Sequence, residues 1–154
     1  MISFRGFVHE LLKRQVRILD ERRTMIFVVD DDPSVRKALK RLLASAGYEV
    51  ATFGSAEEVL TSGRRELPDV FVMDVRMPGL SGLELQEELA ASGSRIPTIF
   101  ITAYRDDQAR TLAHQAGAVA YLEKPVDGEV LLEAIRAGLK RQIFDAPEAG
   151  RLGQ

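Results

Sequence analysis

From Met25 onward the chain alternates five times between a short apolar run and a segment of helical periodicity. The runs are Met25–Val29, Tyr48–Phe53, Val70–Met73, Thr98–Ile101 and Val119–Leu122. They are rich in β-branched and aromatic residues and mostly continuous, so both of their faces need cover. Strands of that kind belong to parallel sheets, where a helical crossover returns the chain to start the next strand. The helix candidates have readable ends. Asp32 is placed to cap a helix with Pro33 in its first turn and Val35, Leu39, Leu42 and Leu43 as its stripe, stopped at Gly47. Ser55 with Glu58, and Ser81 with Glu84, read as capping boxes. Asp106 or Asp107 opens a fourth helix that ends at Gly117. Asp127 opens a fifth, with Leu131, Ala134, Ile135 and Leu139 on one face. The expected fold class is α/β, a doubly wound five-stranded parallel sheet with helices on both faces.

That unit spans residues 25–142. Residues 1–24 read as an amphipathic basic extension, with Arg5, Lys13, Arg14, Arg17, Arg22 and Arg23 against Glu10, Asp20 and Glu21. Residues 143–154 read as a flexible tail, too short for a further domain. A net charge of −2 gives no global attraction to nucleic acid or to a membrane surface. The absence of cysteine excludes disulfides, thiolate metal sites and a cysteine nucleophile, and fits a reducing compartment. No apolar run approaches the about 20 residues of a membrane helix, and charge throughout 5–23 leaves no core for a secretion signal. The expectation is a soluble, cytoplasmic protein.

Ligands of doubly wound folds bind beyond the carboxyl ends of the strands, so the polar residues there carry the information. The first strand runs into Asp30-Asp31-Asp32 and the third into Asp74, followed by Val75-Arg76-Met77-Pro78-Gly79. The fourth runs into Thr102-Ala103 and the fifth into Glu123-Lys124-Pro125. Crowded carboxylates raise one another's pKa unless a cation neutralises them. A hard divalent ion with oxygen ligands does so, and Mg2+ suits best, since it leaves positions for water and a phosphoryl oxygen. Lys124 adds a fixed positive charge for phosphoryl oxygens, and Thr102 adds a hydroxyl donor. A carboxylate so placed is a nucleophile toward phosphorus, giving an acyl phosphate.

Val28-Val29-Asp30-Asp31-Asp32, Val72-Met73-Asp74-Val75-Arg76-Met77-Pro78-Gly79, Ile101-Thr102-Ala103 and Glu123-Lys124-Pro125 together resemble the signature of the response regulator receiver domain, in order and spacing, over about residues 25–142. The resemblance implies a flavodoxin-like strand order of 2-1-3-4-5. It implies that Asp74 accepts phosphate from a histidine kinase or phosphotransfer protein. Asp31, Asp74 and the backbone carbonyl of Arg76 would ligate Mg2+, with Asp30 acting largely through water. Thr102 and Lys124 would grip the phosphoryl oxygens, and the Lys124–Pro125 bond would be cis. Tyr121 falls at the family's switch aromatic; Thr102, drawn to the phosphoryl group, would make room for its ring to turn inward. A switch across helix 4, strand 5 and helix 5 would follow, and that face would pair two copies of the chain. The segments Pro33–Arg36 and Met77-Pro78-Gly79 look most like receivers of the FixJ/NarL type, which drive a DNA-binding output. No such output follows the fifth helix here: either it is absent by nature or the sequence is a fragment. The expectation is a stand-alone signalling receiver with no direct nucleic-acid binding by this chain and no membrane association.

Each motif alone has a plainer reading. Asp30–Asp32 would suit any helix N-terminus, and Asp32 is best read that way. Asp74 before Met-Pro-Gly would start a turn, and a buried aromatic such as Tyr121 needs no switch. His114 reads as a helix-surface residue, and His9 only faintly resembles a kinase phosphoacceptor box. Two rival functions stand: a degenerate receiver used as a scaffold, and a haloacid-dehalogenase-like phosphohydrolase with Asp30 as nucleophile. The second leaves Asp74 without a task and lacks the family's later acidic pair.

Overall fold

The computed structural model describes residues 3–9, 23–63 and 67–144. Five parallel strands form one sheet: β1 (Met25–Val29), β2 (Glu49–Phe53), β3 (Val70–Asp74), β4 (Thr98–Thr102) and β5 (Ala120–Glu123). Their order is β2-β1-β3-β4-β5, as expected. The helices are α1 (Pro33–Ser45), α2 (Ala56–Thr61), α3 (Gly82–Ala91), α4 (Asp107–Gln115) and α5 (Gly128–Phe144).

Strand parity sorts the core. Phe27, Val29, Phe71, Met73, Phe100 and Tyr121 pack with Ala56, Leu85, Ala109 and Ala113, on the side covered by α2, α3 and α4. Ile26, Val28, Val70, Val72, Ile99 and Ile101 pack with Leu39, Leu43, Leu131 and Ile135 of α1 and α5. Aromatics gather on one face and branched aliphatics on the other, so each run looks uniformly apolar in sequence although its residues serve two layers.

Every expected cap residue is used. Asp32 accepts from Ser34 N, Ser55 from Glu58 N, Ser81 from Glu84 N, and Asp127 from Glu129 N and Val130 N. Asp106 rather than Asp107 caps α4, accepting from Ala109 N. Glu58 departs from the reciprocal box, for its carboxylate takes Gly54 N, one residue upstream of the cap. The edges shift by one residue for local reasons. Tyr48 N bonds Leu43 O and closes the end of α1 behind Gly47, so β2 starts at Glu49. β3 and β4 each run one residue further, because Asp74 pairs with Ile101 and Thr102 with Glu123.

Of the expected basic extension, residues 4–9 are helical with Phe4 and Phe7 exposed, while most of it, like residues 145–154 of the expected tail, lies outside the described residues. Among the described residues no helix is long and apolar enough to cross a membrane.

Candidate functional site

The strand order reverses between β1 and β3, and the loops leaving these two strands diverge to open a crevice. Asp30 follows β1 while still tied to the sheet, its N–H donating to Phe53 O at 3.1 Å. Its carboxylate turns back on the loop, where Oδ1 accepts from Asp32 N at 2.9 Å, and its side chain is fully buried. Arg36, one turn into α1, donates to the Asp30 carbonyl at 2.7 Å and anchors the loop from below. Asp31, between them, is exposed.

Asp74 ends β3 and is only 6% exposed. Its Oδ1 accepts from Arg76 N at 3.1 Å, and Val75 N pairs across to Ile101 O, so the following loop turns while the carboxylate stays aimed at the crevice. Behind it, Gly82 opens α3 so close to the strand that a Cβ would collide with the Asp74 carbonyl. Glycine there is a matter of space.

Lys124 comes from the far end of the sheet. Its N–H donates to Thr102 O at 2.7 Å, the Lys124–Pro125 peptide is cis, and the side chain crosses to the acids. Nζ lies 2.8 Å from Asp30 Oδ2 and 3.0 Å from Asp74 Oδ2. Burial raises the Asp74 carboxyl above the ordinary aspartate range, helped by the Asp30 charge; the Lys124 ammonium and the Arg76 amide offset only part. For Lys124, burial pulls the ammonium down, but the bonds to Asp30 and Asp74 outweigh it and leave it above the usual lysine value.

Asp30, Asp31 and Asp74 each bring a carboxylate oxygen within 4.8 Å of the others. An all-oxygen donor set with two buried acids and one exposed one suits a hard cation that keeps water in its shell, so these residues fit Mg2+. Thr102 is also at this edge, but its hydroxyl is engaged with its own loop, accepting from Tyr104 N at 3.1 Å and donating to Tyr104 O at 3.3 Å.

Tyr121 lies on β5, paired with Phe100 of β4. Its ring is already inside, 6% exposed, 6.5 Å from the Phe100 ring and beneath the Arg110 guanidinium at 5.2 Å. Its hydroxyl is buried without a hydrogen bond of good geometry, although Thr102 is near enough to bear on its titration, which burial pushes up. The ring is therefore on the inside in this structure. What the hydroxyl lacks is a partner.

Asp30, Asp31, Asp74 and Lys124 converge as the sequence indicated, with Thr102 and Tyr121 on the neighbouring strands. His9 and His114 are exposed and stand outside the site. Three residues that contact the site's loops escaped the sequence reading. Gly82 carried a weak signal, a glycine where a helix begins. Arg36 entered the sequence reading only as the end of the Pro33–Arg36 segment, with no contact assigned to it. Glu57, which accepts from Leu80 N at 2.7 Å, was overshadowed by Glu58 beside it.

The chain is similar to known proteins. The family model for the response regulator receiver domain matches residues 26–136. Nodulation protein W of Bradyrhizobium diazoefficiens is 44% identical over 119 residues, covering 77% of this chain and 52% of its own. Response regulator protein TodT of Pseudomonas putida is 39% identical over 140 residues, covering 89% of this chain and 62% of its own. The chain thus spans less than two thirds of both relatives. The solved structure of response regulator StyR is similar with a TM-score of 0.73 at 46% identity, covering 80% of this chain and 62% of that one.

Proposed function

The chain belongs to the response regulator receiver family, and from that premise we propose that it is a Mg2+-dependent switch phosphorylated on Asp74 by a histidine kinase or phosphotransfer protein. The family's role is signalling by phosphorylation in two-component systems rather than metabolic catalysis. The observation that carries the finer reading is Lys124 Nζ, which contacts the carboxylates of Asp30 and Asp74 at once, with Asp31 completing the acid cluster.

A carboxylate oxygen of Asp74 attacks the phosphorus of a phosphohistidine. The P–N bond breaks, its electron pair returns to the imidazole, and an aspartyl phosphate is left. Lys124 exchanges its contact with Asp74 for one with a phosphoryl oxygen, and the Thr102 hydroxyl leaves the Tyr104 backbone for another. Asp31, Asp74 and the Arg76 carbonyl would hold Mg2+, with Asp30 beside them; bound there, the ion would supply positive charge against the phosphoryl oxygens. Once Thr102 moves, the buried Tyr121 hydroxyl and the start of α4 respond, which biases the α4–β5–α5 face toward pairing with a second copy. Asp30 is the less accessible nucleophile, since it is fully buried whereas Asp74 keeps a small exposed share at the crevice. That disfavours the phosphohydrolase reading.

Incubation with a phosphorylated histidine kinase or acetyl phosphate and Mg2+ should place an alkali-labile label on the peptide that contains Asp74. The label should vanish in Asp74→Asn and on chelation of the metal. Label recovered on Asp30 would overturn the proposal.

A further inference from the structure

The loop from Val75 to Ser81 carries both the amide of Arg76, which donates to Asp74, and its carbonyl, so the loop's shape decides where those groups point. Its two ends are held near the strand: Arg76 N donates to Asp74 Oδ1, and Gly82 N donates to Val75 O at 3.1 Å. Its middle is held from another helix altogether. Leu80 N donates to Glu57 Oε1 at 2.7 Å, across 23 residues of sequence. Gly79, with φ of +80°, lies against the same carboxylate, and a Cβ there would stand 2.6 Å from Glu57 Oε1. The loop thus accommodates the carboxylate through a left-handed backbone that glycine adopts readily and that leaves no Cβ in the way.

Glu57 is itself held in place. It is the second residue of α2, where the unpaired amides and the helix dipole favour a negative charge. The Leu80 N–H first, then its own N–H and the Ser55 hydroxyl, keep its carboxyl below the ordinary glutamate range.

We propose that Glu57 is a positioning residue for phosphoryl transfer, clamping Gly79-Leu80 so that the Arg76 carbonyl and amide are presented to the metal and to Asp74. It touches neither the metal nor the phosphoryl group and acts only through the loop. The inference rests on Asp74 being the phosphoacceptor. It extends the site to α2, whose role in the sequence reading was only to cover the sheet.

The test is equilibrium binding of beryllofluoride in saturating Mg2+, followed through the NMR amide signals of Thr102 and Lys124, together with thermal unfolding of each variant. Loss of one hydrogen bond to a charged acceptor in an exposed loop, at the low end for such bonds, should weaken binding by about tenfold in Glu57→Ala. Glu57→Asp keeps the charge at the start of α2 but is shorter by about 1.5 Å, so it should behave like the alanine variant while α2 stays intact. Glu57→Gln keeps the acceptor oxygen and should bind within about twofold of wild type. Glu58→Ala should lower the unfolding temperature without weakening beryllofluoride, since Glu58 holds Gly54 N and not the loop. Wild-type affinity in Glu57→Ala and Glu57→Asp would overturn the inference alone, as would an equal loss in Glu58→Ala. Failure of the wild-type protein to bind beryllofluoride at all would overturn the phosphoacceptor reading together with it.

Discussion

Replacing Lys124 with methionine keeps an unbranched chain of similar length and removes a charge that two carboxylates share. The ammonium stands 2.8 Å from Asp30 Oδ2 and 3.0 Å from Asp74 Oδ2. At such distances, with an effective dielectric constant of about 20, each gross attraction is about 6 kcal/mol, and desolvation of the three groups cancels most of it. The residual loss follows from what stays behind: Asp30 is fully buried and Asp74 nearly so, each deprived of its cation. Breaking one partner from a buried pair costs about 3–5 kcal/mol, and the 18% exposure of the Lys124 side chain puts this case at the low end, about 3 kcal/mol. In a domain of this size that is a fall of about 10 °C in Tm.

Two conditions should shrink the deficit. Millimolar Mg2+ replaces the missing charge and should recover much of the loss. Acid should do so as well, because the Asp74 carboxyl already titrates above its ordinary value of 3.8, chiefly through burial, and losing Lys124 pushes it higher. A carboxyl whose folded pKa is raised contributes stability fully present below the unfolded pKa and lost as pH rises through the folded pKa. The gap between variant and wild type should therefore be widest at pH 7 and narrow toward pH 5. Urea unfolding of both proteins at the two pH values, with Mg2+ and with chelator, checks all of this. A deficit that ignores both metal and pH would mean that Lys124 acts through packing, and the electrostatic account of the site would fail.

Gly82→Ala should cost about 3 kcal/mol, the upper part of the overpacking range, because the added methyl meets the Asp74 carbonyl and the Phe100 ring rather than a movable side-chain tip. The same variant should slow phosphorylation from acetyl phosphate, and an unchanged unfolding midpoint would show that α3 can move away freely. Tyr121→Phe removes a buried hydroxyl without a well-formed partner, so the unphosphorylated protein should be as stable as wild type or more stable by about 1 kcal/mol in urea unfolding. A loss of about 2 kcal/mol would instead mean that the hydroxyl is bonded, for that is the penalty of orphaning its partner.

Most of the frame was legible in the chain itself. Strand-sized apolar runs, the caps Asp32, Ser55, Ser81 and Asp127, and the glycine stop at Gly47 are local signals, because capping and periodicity act between residues within one or two helical turns. The identity of the site residues was also local: acids, a threonine and a lysine standing at successive strand ends. Their distances were not. That Lys124 reaches both Asp30 and Asp74, 94 and 50 positions away, depends on the register of β5 against β4 and of β4 against β3, which no neighbouring residue specifies. Likewise, Glu57 under Gly79, Gly82 behind Asp74 and Arg36 beneath Asp30 gain their tasks from a crowded crevice. A hydrogen bond or a steric limit there belongs to two segments at once, so it exists only when the fold has brought them together.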